Sequence, residues 1–219
     1  MEKTLSIQIK DFDDFQSACE HFGIEINNNQ LELFKQYYSF LLDWNKKINL
    51  ISRKGEDSII EKHFLDSILF LSEFERLTNQ IPTNVLDIGS GGGFPAIPLA
   101  IMKPEWNFTL CESTTKKANF LALLVKELNL QNKVTIINDR VETLHATSPR
   151  QQFDLITARA IAKLDELIRY SKPILKKGGY LIAYKAKDID DEIKNISLPM
   201  KIYSKKINDV ERKLIVVEA

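Results

Sequence analysis

The chain has 219 residues, 44% hydrophobic and 27% charged, enough for one full-sized domain with a small appendage and too few for two ordinary ones. Lys plus Arg equals Asp plus Glu at 30 each. This balance excludes a protein that grips long nucleic acid only through its phosphates, so any such partner must be met by a local basic patch or by shape. No apolar run approaches the ~18 residues of a membrane span. The opening MEKTLSIQIKDFDD has no secretory apolar region, so a cytoplasmic protein without membrane contact is expected. Cys19 and Cys111 lie far apart in different expected elements. They read as buried small hydrophobes, with neither a disulfide framework nor enough ligands for a zinc site.

In residues 11–22 the apolar positions Phe12, Phe15, Ala18, Cys19 and Phe22 recur at helical steps, and Gly23 ends the stripe. A longer pattern follows through Leu31, Phe34, Tyr38, Leu41 and Leu42 to Trp44, and Ile48, Leu50 and Ile51 continue it. Glu56 or Asp57 would start a third helix carrying Ile59, Ile60, Phe64 and Ile68. Residues 1–80 therefore read as a helical cap, linked through 78–83 to a second section, 81–219, with which it forms one compact unit. There, strand signals at 85–88, 107–112, 134–137, 153–157 and 180–184 alternate with helical runs, the last strand introduced by Pro173 and the Gly178-Gly179 pair. That alternation predicts a parallel, doubly wound α/β sheet. The tail departs from it: 200–206 and 214–217, separated by the turn-like Asn208-Asp209, predict an antiparallel hairpin at one sheet edge.

Residues 84–100, NVLDIGSGGGFPAIPLA, carry the main functional signal: a strand, a glycine turn and the start of a helix. A dinucleotide loop wants a third glycine where Phe94 stands. Asp87, two residues before Gly89, would repel a pyrophosphate but suits a ligand with a cationic amino-acid end, such as S-adenosylmethionine, directly or through water. The Asp-x-Gly-x-Gly-x-Gly pattern resembles motif I of Rossmann-like methyltransferases. Five parallel strands and a terminal hairpin would complete the seven-stranded, mostly parallel sheet of the class I S-adenosylmethionine-dependent enzymes. Gly89 and Gly91 admit the ligand backbone-close, and the helix start offers free amides. Glu112 ends the second strand, twenty-one residues after Gly91, where an acid accepts both ribose hydroxyls. Val141 can flank an adenine face while its amide and the Glu142 carboxylate reach the base edge; equally, the two are simply the first turn of a helix.

The fourth strand gives Thr157-Ala158-Arg159-Ala160, not the Asn/Asp-Pro-Pro-aromatic box common in enzymes that methylate exocyclic amines, and no Pro-Cys pair for attack on a pyrimidine ring. A lone-pair nucleophile such as a purine N7 needs neither, only alignment and tolerance of the positive charge it acquires. Arg159 would bind a phosphate, a base edge or the cofactor carboxylate, or serve as a structural ion-pair partner. Lys116, Lys117, Arg140, Arg159 and Lys163 form a candidate basic rim for RNA. A small-molecule methyltransferase, its cap closing over a metabolite, is the alternative that neutral charge favours.

The segments 44–50 (WNKKINL), 62–67 (KHFLDS), 87–98, 140–142 (RVE) and 158–160 (ARA) resemble, in order and over nearly the whole chain, the ribosomal small-subunit methyltransferase G family, also called glucose-inhibited division protein B. The resemblance implies methylation of N7 of one guanine in the decoding-centre loop of 16S rRNA, with S-adenosylmethionine as donor and no metal; a monomer is expected. It implies cofactor contacts at Gly89, Phe94, Val141, Glu142 and Arg159, and puts His63 and Asp66 in a cap motif facing the pocket. Three apart on one helix face, those two read from spacing alone as a local polar pair, and no general base is expected because guanine N7 has no proton to remove. Lys62 and Lys117 stand where arginine is common in the family, which replaces a bidentate fork with a point charge.

Overall fold

The structure is a computed structural model of the chain and describes residues 4–5, 9–52, 58–78, 84–147, 152–185, 189–194 and 196–218. The expected helix start at Glu56 or Asp57, and residues 79–83 of the expected link, lie outside these.

The cap opens with a two-residue strand, β1 (Thr4–Leu5), and two helices whose starts are written in their capping residues. In α1 (Phe12–His21) the Asp11 carboxylate accepts from the amides of Asp13 and Asp14. In α2 (Asn28–Asn45), Asn27 and Gln30 form a reciprocal capping box. A π-helical stretch, Ile60–Leu65, then runs into the short α3 (Asp66–Ile68), followed by α4 (Leu71–Thr78). Phe15, Phe34, Tyr37 and Phe64 are fully buried, with the Phe34 and Tyr37 rings 5.3 and 5.1 Å from that of Phe64. The expected apolar stripes are therefore core.

The second section runs β2 (Asn84–Ile88), α5 (Ala96–Met102), β3 (Asn107–Cys111), α6 (Thr115–Glu127), β4 (Val134–Ile137), α7 (Val141–Thr147), β5 (Phe153–Arg159), α8 (Leu164–Ser171), β6 (Leu175–Lys185), α9 (Asp190–Ile193), β7 (Met200–Ile207) and β8 (Val210–Glu218). The strand order is β1-β7-β8-β6-β5-β2-β3-β4. Strands β2 to β6 are mutually parallel, while β8 is antiparallel to both β6 and β7. One face of the sheet is covered by the cap helices with α5 and α6, in a single apolar cluster that joins Phe15 and Phe64 to Ile97 and Phe120. The other face carries Val141, Leu144, Leu164 and Leu167 of α7 and α8. Because β2 neighbours β3 on one side and β5 on the other, the crevice at their carboxyl ends is the topological switch point, where open α/β sheets bind ligands.

The fold matches the expected class, with local differences. Among the described residues the sheet has eight strands, since β1 adds in parallel to β7 through Thr4 opposite Lys206. Gly178 and Gly179 lie inside β6 rather than ahead of it: the β5–β6 register shifts between Phe153 and Leu155, and a Cβ on Gly179 would sit 2.9 Å from the Asp154 carbonyl oxygen. They permit an irregularity where the pair reads as a turn. Both cysteines are buried and free, their thiols pushed up to about 12 chiefly by burial. Among the described residues no helix is long and apolar enough to cross a membrane, and no group of three His, Cys, Asp or Glu could hold a metal.

Candidate active site

Strand β2 ends in Asp87 and Ile88 and releases the chain into a loop in which Gly89, Gly91 and Gly93 have φ of +70°, +55° and +99°. Two of these glycines serve opposite sides. A Cβ on Gly91 would meet nothing nearer than 3.8 Å, so that flank is open for a ligand. A Cβ on Gly93 would lie 2.7 Å from the Tyr37 hydroxyl and 2.9 Å from Ile97, so that flank is filled by the cap. The Tyr37 hydroxyl donates to the Gly92 carbonyl, tying α2 directly to the loop. The amide of Gly89 donates to the carbonyl of Cys111 at 2.8 Å, fixing the loop against β3.

At the end of β3, Glu112 is 5% exposed, and its carboxylate accepts from the amides of Gly91 at 2.9 Å and Thr114 at 2.7 Å. It thus couples the glycine loop to the start of α6. Gly89, Gly91, Glu112, Val141 and Glu142 line one cleft of about 440 Å³, within the few-hundred-Å³ range of small-molecule sites. Lys117 and Arg140 stand at its edge. Lys116 on α6 and Lys163 ahead of α8 are exposed and do not line it, and neither does Arg159, whose side chain is largely buried. Ile161, Glu166 and Tyr170 also line the cleft. Sequence reasoning passed over these three; position just beyond the carboxyl end of β5 was the available signal. Ala160, beside them, holds φ of +55°, a strained conformation for a residue with a side chain.

The second half of the site joins cap to sheet. Phe94 is buried, with its ring against Tyr37 at 5.3 Å and His63 at 4.8 Å, and the Arg159 guanidinium lies 5.9 Å over it. Arg159 donates through Nη2 to the Lys62 carbonyl and approaches His63 Nδ1 at 3.1 Å. Arginine has no acceptor, so Nδ1 accepts and the imidazole carries its proton on Nε2. Burial, with Arg159 and Lys62 adding to it, pushes the imidazole down to about 3, which keeps it neutral. Asp66 is 3.9 Å from Arg159 and accepts from Arg212 at 2.6 Å. His63 and Asp66 therefore do not form the local pair that their spacing suggests. His63 in the π-helical stretch and Asp66 at the start of α3 each meet an arginine instead.

Asp87 is closed to solvent and accepts from the Thr157 hydroxyl at 2.7 Å. Burial pushes its carboxyl up to about 7. Its second oxygen, Oδ2, and Nη1 of Arg159 are both buried without a partner among the described residues. A buried acceptor and a buried donor left open, with Arg159 opposing the upward shift of Asp87, complement a zwitterionic amino-acid end. Gly91, Glu112, Val141 and Glu142 line the cleft, whereas Asp87, Phe94 and Arg159 do not; an open buried acceptor, an open buried donor and a carboxylate-lined cleft are the kinds of group that fit S-adenosylmethionine.

Solved structures share the architecture. The O-methyltransferase from Bacillus cereus in complex with SAH superposes with a TM-score of 0.59 at 13% identity, over 95% of this chain and 100% of that one. Cofactor-bound Rv0187 from MTB gives 0.60 at 14% identity over 96% and 99%. At these identities the likeness is one of fold. Among curated proteins, the ribosomal RNA small subunit methyltransferase G of Lactococcus lactis subsp. cremoris is 40% identical over 83% of this chain and 75% of its own length. The protein of that name from Lactobacillus johnsonii is 36% identical over 93% and 89%. The model of the family described as rRNA small subunit methyltransferase G matches residues 30–214, the glycine loop, the cap motif and the β5 arginine included, and the chain belongs to that family.

Proposed function

We propose that this protein transfers a methyl group from S-adenosylmethionine to N7 of one guanine in 16S rRNA, acting in the cytoplasm as a monomer on the small ribosomal subunit or its RNA. Support comes from family membership and from one observation above all: the histidine at the junction with the cap accepts from Arg159 through Nδ1 and is held neutral, so it is not a poised base. A ring nitrogen with its own lone pair asks for none. S-adenosylmethionine, when bound, supplies an electrophilic methyl group. The protein's part is to align the acceptor and to exclude water. Glu112 and the Gly91 flank hold the ribose side, Val141 and Glu142 the base, and Arg159 with Asp87 the charged end. Phe94 offers an apolar wall at the junction with the cap. Lys116, Lys117, Arg140 and Lys163 would meet phosphates, the first and last from outside the cleft.

The test uses labelled S-adenosylmethionine and small subunits from cells lacking the modification, followed by mapping of the methylated nucleotide. A 7-methylguanine product at one position is expected. Another product, or transfer to metabolites and none to ribosomal fractions, refutes the proposal. His63→Ala that abolished transfer while preserving ligand affinity and fold would refute the base-free mechanism.

A further inference from the structure

We infer that Arg212, at the far end of the chain on β8, is a positioning residue that keeps the Arg159 guanidinium available to the carboxylate end of the ligand by sharing the charge of Asp66. The inference rests on the cofactor reading above and goes beyond it, since no sequence motif singled out Arg212.

Arg212 is 6% exposed. Its Nε donates to Asp66 Oδ1 at 2.6 Å, and its Nη2 lies 3.4 Å from Glu61 Oε1. The other Asp66 oxygen faces Arg159 Nη2 at 3.9 Å, the one carboxylate within ion-pair distance of Arg159 among the described residues. One carboxylate therefore stands between two buried guanidinium groups, in close hydrogen-bonded contact with Arg212 and only loose contact with Arg159. The asymmetry matters because a planar fork and a carboxylate prefer to meet through two parallel hydrogen bonds. Left alone with Arg159, Asp66 would have both oxygens free to close into such a pair. The guanidinium would turn toward the cap, and its open Nη1 would be consumed. Arg212 prevents this by occupying Oδ1. Arg159 then spends Nη2 on the Lys62 carbonyl and His63, and Nη1 stays without a partner. Glu61 balances the second arginine, so the group of two arginines and two carboxylates carries no net charge before a ligand arrives.

The experiment compares two probes on the full chain: S-adenosylhomocysteine, which carries the amino-acid end, and methylthioadenosine, which lacks it. Binding of each is measured by calorimetry for the parent, Arg212→Gln, Arg212→Lys and the double variant Arg212→Gln/Asp66→Asn. For Arg212→Gln, S-adenosylhomocysteine affinity should fall roughly tenfold or more, the scale of one hydrogen bond to a charged group, while methylthioadenosine affinity stays within about twofold. Arg212→Lys, which keeps a cation on Asp66, should recover most of the loss. In the double variant Asp66 can no longer capture Arg159, and S-adenosylhomocysteine affinity should rise above that of Arg212→Gln. A residue that merely braced β8 would lower both affinities together, or neither, and the double variant would be the weaker one; either result overturns the inference. If Arg212→Gln fails to fold by circular dichroism, Arg212→Met, which also leaves Asp66 Oδ1 without its partner, takes its place. A loss confined to S-adenosylhomocysteine supports the inference, and an equal or absent loss overturns it. Failure of the parent to bind S-adenosylhomocysteine would instead refute the cofactor reading.

Discussion

Asp87, fully buried, and His63, partly buried, should pull the pH dependence of stability in opposite directions. The Asp87 carboxyl is pushed from its usual 3.8 up to about 7, and the His63 imidazole from 6.5 down to about 3, in both cases chiefly by burial. Between about pH 4 and 7 the folded state keeps a proton on Asp87 that the unfolded chain has released. This contribution is full below pH 4 and is lost as pH rises toward 7. For His63 the sign reverses. Below pH 6.5 the unfolded chain takes up a proton that the folded state refuses, so its contribution is full above 6.5 and is lost as pH falls toward 3. Each slope is about 1.4 kcal/mol per pH unit where its window is fully open, and from about pH 4 to 6.5 the two nearly cancel. Asp87→Asn keeps an acceptor for Thr157 and removes only the first slope. Relative to the parent, its stability should fall by about 3 kcal/mol as pH drops by about two units within that window. His63→Gln should move the opposite way by a similar amount. Urea unfolding followed by circular dichroism at half-unit steps reads both, and the background from other carboxylates cancels in the difference. If both variants shift in the same direction with pH, or neither shifts, the assignment of these two groups is wrong.

Three further outcomes follow from the packing. Tyr37→Phe leaves the Gly92 carbonyl buried without its donor and should cost about 1–3 kcal/mol in urea unfolding, with weaker S-adenosylhomocysteine binding because the loop loses its tie to α2. Gly91→Ala and Gly93→Ala both force an alanine into positive φ, at about 1–2 kcal/mol each. Only the second also drives a Cβ into the Tyr37 hydroxyl, so Gly93→Ala should lower the melting temperature clearly more, while Gly91→Ala should harm ligand affinity more than stability. Lys205 is buried, with its ammonium 2.7 Å from the Leu69 carbonyl and 2.9 Å from Glu73. Lys205→Met strands that carboxylate and should cost about 3–5 kcal/mol, whereas Lys205→Met with Glu73→Leu should recover much of it.

What could be read from the sequence was what local chemistry controls. The glycine loop, the strand-end acids Asp87 and Glu112 and the terminal hairpin each depend on a few neighbouring residues, and all stand where spacing put them. The site's other half depends on partners distant in the chain. Arg212 meets Asp66 across 146 positions and Tyr37 meets Gly92 across 55, and no periodicity records either. His63 and Asp66 misled because the i, i+3 rule assumes α-helical geometry, and His63 lies in a π-helical stretch that ends just before Asp66. Tyr170 and Glu166 look in sequence like an ordinary helix face; only the placement of α8 beside the cleft makes them part of its lining.

The π-turn Ile60–Leu65 has a genetic meaning as well as a geometric one. A π-turn holds one residue more than an α-turn, the equivalent of a single inserted codon. Removing that codon would leave the hydrogen-bond ladder continuous and the helix intact, while rotating everything on one side of the deletion by about 100° relative to the other. His63 and Asp66 would then lose their shared aim at Arg159 although no side chain had been substituted. A one-codon deletion here would thus separate two properties that point mutations tend to change together: a cap that still folds, and a pocket it no longer completes.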